Sequence, residues 1–167
     1  MIRLEEYAGE QERILPLIRG FWKAHSNFEQ SVEEAKEDLR AWTAPGHMIY
    51  FILSDESCVG FAHLGSRGGG MDWLEELFVL PEYQGRGIGS EAIRLIEEKV
   101  RRYSVSLYIE AAARNEAAIR LYHRLGYNCL NTITVRKDFP EYEYDVVRSE
   151  SIYGAGFEIR KDRGDNS

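Results

Sequence analysis

The stretch Gln84-Gly85-Arg86-Gly87-Ile88-Gly89-Ser90 sets glycines on alternate positions between an apolar run ending at Val79-Leu80 and an amphipathic run from Ile88 to Val100. One or two glycines are enough to turn a corner. Three in this rhythm strip Cβ atoms from a strand-to-helix junction, so that successive backbone N–H groups can converge on one anion. The helix that follows adds its own unpaired donors and the positive end of its dipole. Spacing excludes two familiar alternatives. A dinucleotide fingerprint, G-x-G-x-x-G, would need glycine where Ser90 stands, and the Gly-Lys-Ser/Thr ending of a Walker loop is absent. The junction reads as a cradle for a diphosphate; the competing reading is a turn that only brings helix and sheet close together.

The surrounding sequence tells what the junction is mounted on. "MIRLEEYA" reads as a strand, "EQERILPLIRGFWKAH" as a helix with Pro16 in its first turns, and "SVEEAKEDLRAW" as a second helix opened by a Ser31/Glu34 capping box and stopped by Pro45-Gly46. "HMIYFIL", "CVGFAHLG" and "MDWLEELFVL" read as an antiparallel meander with a flexible tip at Gly68-Gly69-Gly70. After the Ile88–Val100 helix, "VSLYIEA" alternates Val105, Leu107 and Ile109 inward. "NEAAIRLYHRLG" is a helix capped by Asn115 and stopped by Gly126, and "YNCLNTITVRKDF" returns as a strand. "YDVVRSES" and "GFEIRK" add two more strands, which either close the sheet internally or pair with another chain, so a homodimer is compatible with them. The order predicts an α+β, mixed α/β, domain over residues 1–160, with a frayed tail over 161–167.

Composition narrows the partners. Asp and Glu number 28 against 21 Lys and Arg, a formal charge of -7, which disfavours nucleic acid and favours a cationic small molecule. Cys58 and Cys129 show no CxxC or Cys/His spacing, so neither a disulfide framework nor a metal site is expected, and both read as buried strand thiols. No apolar run has the length of a signal peptide or of a membrane span, so no membrane role and a cytoplasmic location are expected. His25, His47, His63 and His123 fall on separate elements and read as bystanders.

The pair of motifs "VLPEYQGRGIG" and "NEAAIRLYHRLGY", one strand apart, resembles the GCN5-related N-acetyltransferase (GNAT) superfamily. Gln84, Gly87 and Gly89 match the family's Gln/Arg-x-x-Gly-x-Gly/Ala, and Asn115, Ala118 and Tyr122 match its Asn, Ala and Tyr helix; the order of elements agrees to about residue 135. The resemblance implies the GNAT fold, a largely antiparallel central sheet of about six to seven strands with about four helices. It implies acetyl-CoA as donor, its pyrophosphate on the backbone of Gln84, Gly85, Arg86, Gly87, Ile88, Gly89 and Ser90. The pantetheine arm would lie along Phe78, Val79 and Leu80, with Asn115 and Ala118 near it.

Acetyl transfer to an amine adds its own demands. An alkylammonium has a pKa of about 10.4 and must lose a proton before attack. "WLEELFVLPEYQGRGIGSE" is similar to diamine and polyamine acetyltransferases, a likeness that implies Glu75 as the base with Glu76 next. Period-two alternation predicts that these two carboxylates point to opposite faces. Tyr122 matches the family's phenol donor to the departing thiolate, and a backbone N–H near Val79 is the expected oxyanion donor. The segment His25 to Gln30 is expected to border the acceptor. The function expected is acetylation of a primary amine on a small molecule in one ternary complex. The alternatives are a non-catalytic module binding CoA thioesters and an acetyltransferase of protein N-termini or lysines.

Overall fold

The β-branched and aromatic runs around residue 50 pair as the meander expected of them. In the computed structural model, which describes residues 1–141 and 143–162, β1 (Ile2–Glu6), β2 (His47–Ser54), β3 (Ser57–Gly65) and β4 (Trp73–Val79) are antiparallel neighbours in that order. A short β5 (Tyr108–Ile109) adds to β4 in parallel. Helices α1 (Gln11–Ser26), α2 (Val32–Trp42), α3 (Ile88–Val100) and α4 (Glu116–Arg124) complete a mixed α+β architecture. The chain packs as two compact units, Met1–Glu110 and the segment from Ala111 onward.

In the first unit, the alternation of β2 and β3 divides two cores between the sheet's faces. Phe51, Phe61 and Phe78 meet Ile14 and Ile18 of α1 and Ala35 and Leu39 of α2, whereas Ile52, Val59 and Val79 meet Ile88 and Ala92 of α3. Phe51 and Phe61 are fully buried, and each such side chain stabilises the fold by roughly 1.5–3 kcal/mol. The α2 capping box forms in both directions, Glu34 N–H to Ser31 Oγ at 3.2 Å and Ser31 N–H to Glu34 Oε2 at 2.7 Å. Pro16 sits within α1, early enough that the helix runs on to Ser26.

Gly60 is where the sheet closes most tightly. Ile52 pairs with Gly60 and Leu53 with Cys58, so Val59 is an extra residue on β3, a bulge against β2. A Cβ on Gly60 would stand 2.0 Å from the Phe78 carbonyl oxygen, and backbone cannot swing aside as a side chain would. Gly60→Ala is therefore expected to cost on the order of 3 kcal/mol and to lower the unfolding midpoint by roughly 10 °C, as read by thermal denaturation. An unchanged midpoint would contradict this packing.

Two expected strands differ. "VSLYIEA" is reduced to Tyr108–Ile109, and Val105, expected inward, is fully exposed. The β4 residues that engage β5 are Trp73 and Leu74 alone, so beyond them the two strands do not pair. "YNCLNTITVRKDF" makes no strand at all: residues 127–139 have β-branched composition but no ladder, and Leu130, Ile133, Val135 and Phe139 are exposed. Strand propensity needs a partner edge to act on, and in the second unit β6 (Tyr144–Ile152) and β7 (Ala155–Asp162) take each other. Their turn, Tyr153-Gly154, has positive φ at both positions, as a tight hairpin requires. The seven strands thus divide into a five-stranded sheet and a two-stranded one among the described residues. Residues 161 and 162 of the expected tail belong to β7, and the rest of it lies outside the described residues.

Candidate active site

The glycine junction has the backbone its spacing predicts. Behind β4 a 3-10 turn, Pro81–Tyr83, leads to Gly85 at φ 72° and Gly87 at φ 78°, left-handed conformations that cost a residue with a Cβ about 1–2 kcal/mol. Gly87 is the N-cap of α3, and the first helical bond there runs from Glu91 N–H to the Gly87 carbonyl at 3.0 Å. The amides of Ile88, Gly89 and Ser90 are thus left at the helix mouth with no intrahelical acceptor. Gly89 packs over Leu77, where a Cβ would meet Leu77 Cδ2 at 3.9 Å, so close packing alone does not demand glycine there. Gln84 donates to the Val79 carbonyl (2.8 Å) and Arg86 to the Glu82 carbonyl (2.8 Å), so both side chains brace the turn. A neighbouring groove of about 600 Å³ reaches Arg86 and Gly87 but also carries Asp55 and Glu91. Those carboxylates suit it poorly to a diphosphate.

Phe78, Val79 and Leu80 follow along the β4 edge. Leu80 N–H donates to the Val59 carbonyl at 2.8 Å, and because successive amides of an antiparallel strand alternate in direction, Val79 N–H turns to the β5 side. Since β5 pairs only with Trp73 and Leu74, no strand among the described residues takes up that amide.

The two carboxylates depart from strict alternation. His63 pairs with Glu76 and Leu64 with Leu74, which makes Glu75 an extra residue, a second bulge. Bulges re-aim side chains. Glu76 hydrogen-bonds His63, and Glu75 reaches the same face: a Cβ on Gly65 would lie 2.9 Å from Glu75 Cγ and 3.2 Å from His47 Cε1. The expectation of opposite faces is therefore corrected, because period two fails where one strand carries an added residue. Their partners differ. Arg67 grips both Glu75 oxygens, Nε to Oε1 at 3.0 Å and Nη2 to Oε2 at 2.6 Å, reaches Glu110 Oε2 at 2.9 Å, and lies 3.8 Å from the centre of the Trp73 ring. That hydrogen bond holds the Glu110 carboxyl below its ordinary range, and Glu75 and Glu110 together keep Arg67 charged. Glu76 instead meets His63 Nδ1, and His63 Nε2 lies 2.9 Å from His47 Nδ1. Sequence reasoning treated these histidines as bystanders because strand register, which it lacks, is what joins them.

The segment between α1 and α2 holds a buried polar knot. Trp22 Nε1 and Gln30 Nε2 both donate to Asp38 Oδ2, at 2.7 and 2.6 Å, while Gln30 Oε1 has no partner among the described residues. In the second unit, Asn115 caps α4 by accepting from Ala118 N–H at 3.1 Å, and Gly126 at φ 101° ends the helix. Tyr122 packs edge-on against Tyr127, with ring centres 6.1 Å apart. Burial pushes its phenol above the ordinary value of 10.0, so Tyr122 stays protonated through neutral pH. Cys58 is half-buried in β3, but Cys129 is exposed on the unpaired 127–139 segment, not in a strand as expected.

A family model described as the acetyltransferase (GNAT) family matches residues 13–127, from α1 through the end of α4. The chain belongs to this acetyltransferase family. Within it, the chain is similar to ribosomal protein bS18 alanine N-acetyltransferase of Escherichia coli (strain K12), 37% identical over 67 residues, or 40% of this chain and 43% of that protein. It is also similar to spermine/spermidine N(1)-acetyltransferase of Bacillus subtilis (strain 168), 33% identical over 78 residues, or 41% of this chain and 51% of that protein. The chain thus spans about half the length of the curated relatives it matches. Among solved GNAT-like folds, AAC(6')-Iy in complex with the bisubstrate analog CoA-S-monomethyl-acetylneamine superposes with TM-score 0.63 at 17% identity, over 83% of this chain and 99% of that one. The aminoglycoside acetyltransferase meta-AAC0020 from an uncultured soil metagenomic sample, in complex with sisomicin, gives TM-score 0.65 at 14% identity, over 83% and 95%. These likenesses establish the fold. No described helix is long and apolar enough to cross a membrane.

Proposed function

We propose that the chain is a single acetyltransferase domain that moves the acetyl group of acetyl-CoA to a primary amine of a small, cationic molecule. The observation that carries this reading is the junction in which Gly85 and Gly87 are both left-handed before the open mouth of α3. No step requires a covalent enzyme intermediate. In sum, R–NH3+ and acetyl-CoA give the N-acetyl product, CoA thiol and one proton.

The donor's pyrophosphate would accept from the amides of residues 84–90, and its pantetheine amides would pair with the edge of Phe78, Val79 and Leu80. Glu76 takes the first proton from the ammonium; Glu75, with both oxygens held by Arg67, supplies negative charge near the acceptor. The freed electron pair forms the N–C bond, and Val79 N–H bonds the oxygen of the tetrahedral adduct. When the C–S bond breaks, Tyr122 donates its phenolic proton to the thiolate and recovers one derived from the substrate nitrogen.

The test is thiol release from acetyl-CoA over a panel holding spermine, an aminoglycoside and an alanine-terminated peptide. The reading predicts turnover with a small polyamine or aminoglycoside. Turnover confined to the peptide would make the protein an N-terminal acetyltransferase, and CoA binding with no turnover on any amine would favour the non-catalytic module. For the cradle, Gly87→Ala, at φ 78°, is expected to weaken CoA roughly tenfold in calorimetric titration. Undiminished affinity would remove the nest from the account.

A further inference from the structure

The His47, His63 and Glu76 side chains form one hydrogen-bonded file across three strands. His47 pairs with Gly65 and Ile49 with His63, while His63 pairs with Glu76, so register alone brings them to one face. His63 is 2% exposed, with the Trp42 ring of α2 stacked against it, 5.1 Å away centre to centre, and the His47 ring meeting it edge to edge through a nitrogen contact. A buried imidazole stacked on one ring and bonded at both nitrogens has one orientation. Its two nitrogens are both engaged, Nδ1 with Glu76 Oε2 and Nε2 with His47 Nδ1. With Glu76 ionised, as a base must be before it acts, and His63 neutral, one proton arrangement satisfies the chain: His63 Nδ1–H donates to Glu76 Oε2, and His47 Nδ1–H donates to the bare His63 Nε2.

We propose that His63 and His47 are positioning residues for Glu76: the file commits one carboxylate oxygen to His63 and leaves the other as the acceptor of the ammonium proton. This rests on the proposed acetyl transfer with Glu76 as base. The file does not carry the substrate's proton. The N–H bond of the ammonium breaks toward Glu76 Oε1, the electron pair stays on nitrogen for attack, and the proton later leaves Glu76 to water. His63 fixes the direction of that carboxylate, and His47 fixes the tautomer of His63, as orienting partners do behind a reacting group. The charged groups beside the file are Glu75 and, through it, Arg67.

The experiment has two arms on the full chain. Long-range nitrogen–proton NMR at pH 7 reads the tautomers without any substrate. The proposal predicts a protonated Nδ1 and bare Nε2 on His63 and a protonated Nδ1 on His47, with the His63 preference lost in Glu76→Gln. A His63 bearing its proton on Nε2 instead would overturn it. In the second arm, steady-state rates with acetyl-CoA and the amine accepted by the wild type are compared for His63→Leu and His63→Asn, since the Asn amide N–H can stand in for Nδ1–H. His63→Leu should lose roughly tenfold in kcat with the KM for acetyl-CoA unchanged, and His63→Asn should recover most of it. Equal losses in both variants would reduce His63 to a packing residue. Failure of the wild type to turn over any amine would refute the acetyl-transfer reading, while the tautomer arm would still decide whether the file is built as stated.

Discussion

Replacing Tyr122 by Phe is expected to lower kcat by about 10²-fold or more while leaving the affinity for CoA unchanged. The phenol differs from the phenyl ring by one oxygen, so packing against Tyr127 is kept and the loss falls on the proton given to the thiolate. Burial raises this phenol above 10.0. Since its acidic form is the working one, turnover should not fall from Tyr122 ionisation until the pH passes above that value. The same sign governs stability: a phenol whose folded pKa is raised favours the native state below pH 10 and loses that favour as the unfolded chain ionises first. Equal kcat for wild type and Tyr122→Phe, or an activity that falls in step with CoA affinity, would take Tyr122 out of the chemistry.

The second large effect separates two neighbouring carboxylates. Glu76→Gln removes the proposed base and should cost at least about 10²-fold in kcat, with the remaining activity rising with pH as the free amine fraction grows. Glu75→Gln disturbs a carboxylate whose two oxygens are both bonded to Arg67. Its effect should appear mainly in the KM of the cationic acceptor. The reverse ranking would move the base to Glu75, the residue that the likeness to polyamine acetyltransferases had put first. Rates for both variants across pH 6–10 decide between them.

What was legible in the sequence was what local chemistry dictates. Gly85 and Gly87 could be placed because alternate glycines before a helix have few uses, and both are left-handed. Ser31 with Glu34, and Asn115 before Ala118, announced helix starts because a cap is a bond between near neighbours in the chain. The misreadings share the opposite cause. The bulge at Glu75 depends on how β4 registers against β3, which no count along one strand reveals. The joining of His47 to His63, 16 residues apart, is likewise a matter of register. Thr132, Ile133 and Val135 have strand chemistry, yet a ladder depends on an available edge, and residues 127–139 make none.

The central claim is that the amides of residues 84–90 grip a diphosphate carrier, and calorimetric titration of the purified protein with CoA tests it most directly. The account predicts saturable uptake of CoA, abolished or sharply weakened when Gly85 and Gly87 are both replaced by valine. No heat of binding from the folded wild-type protein, or the same affinity in the valine variant, would contradict it.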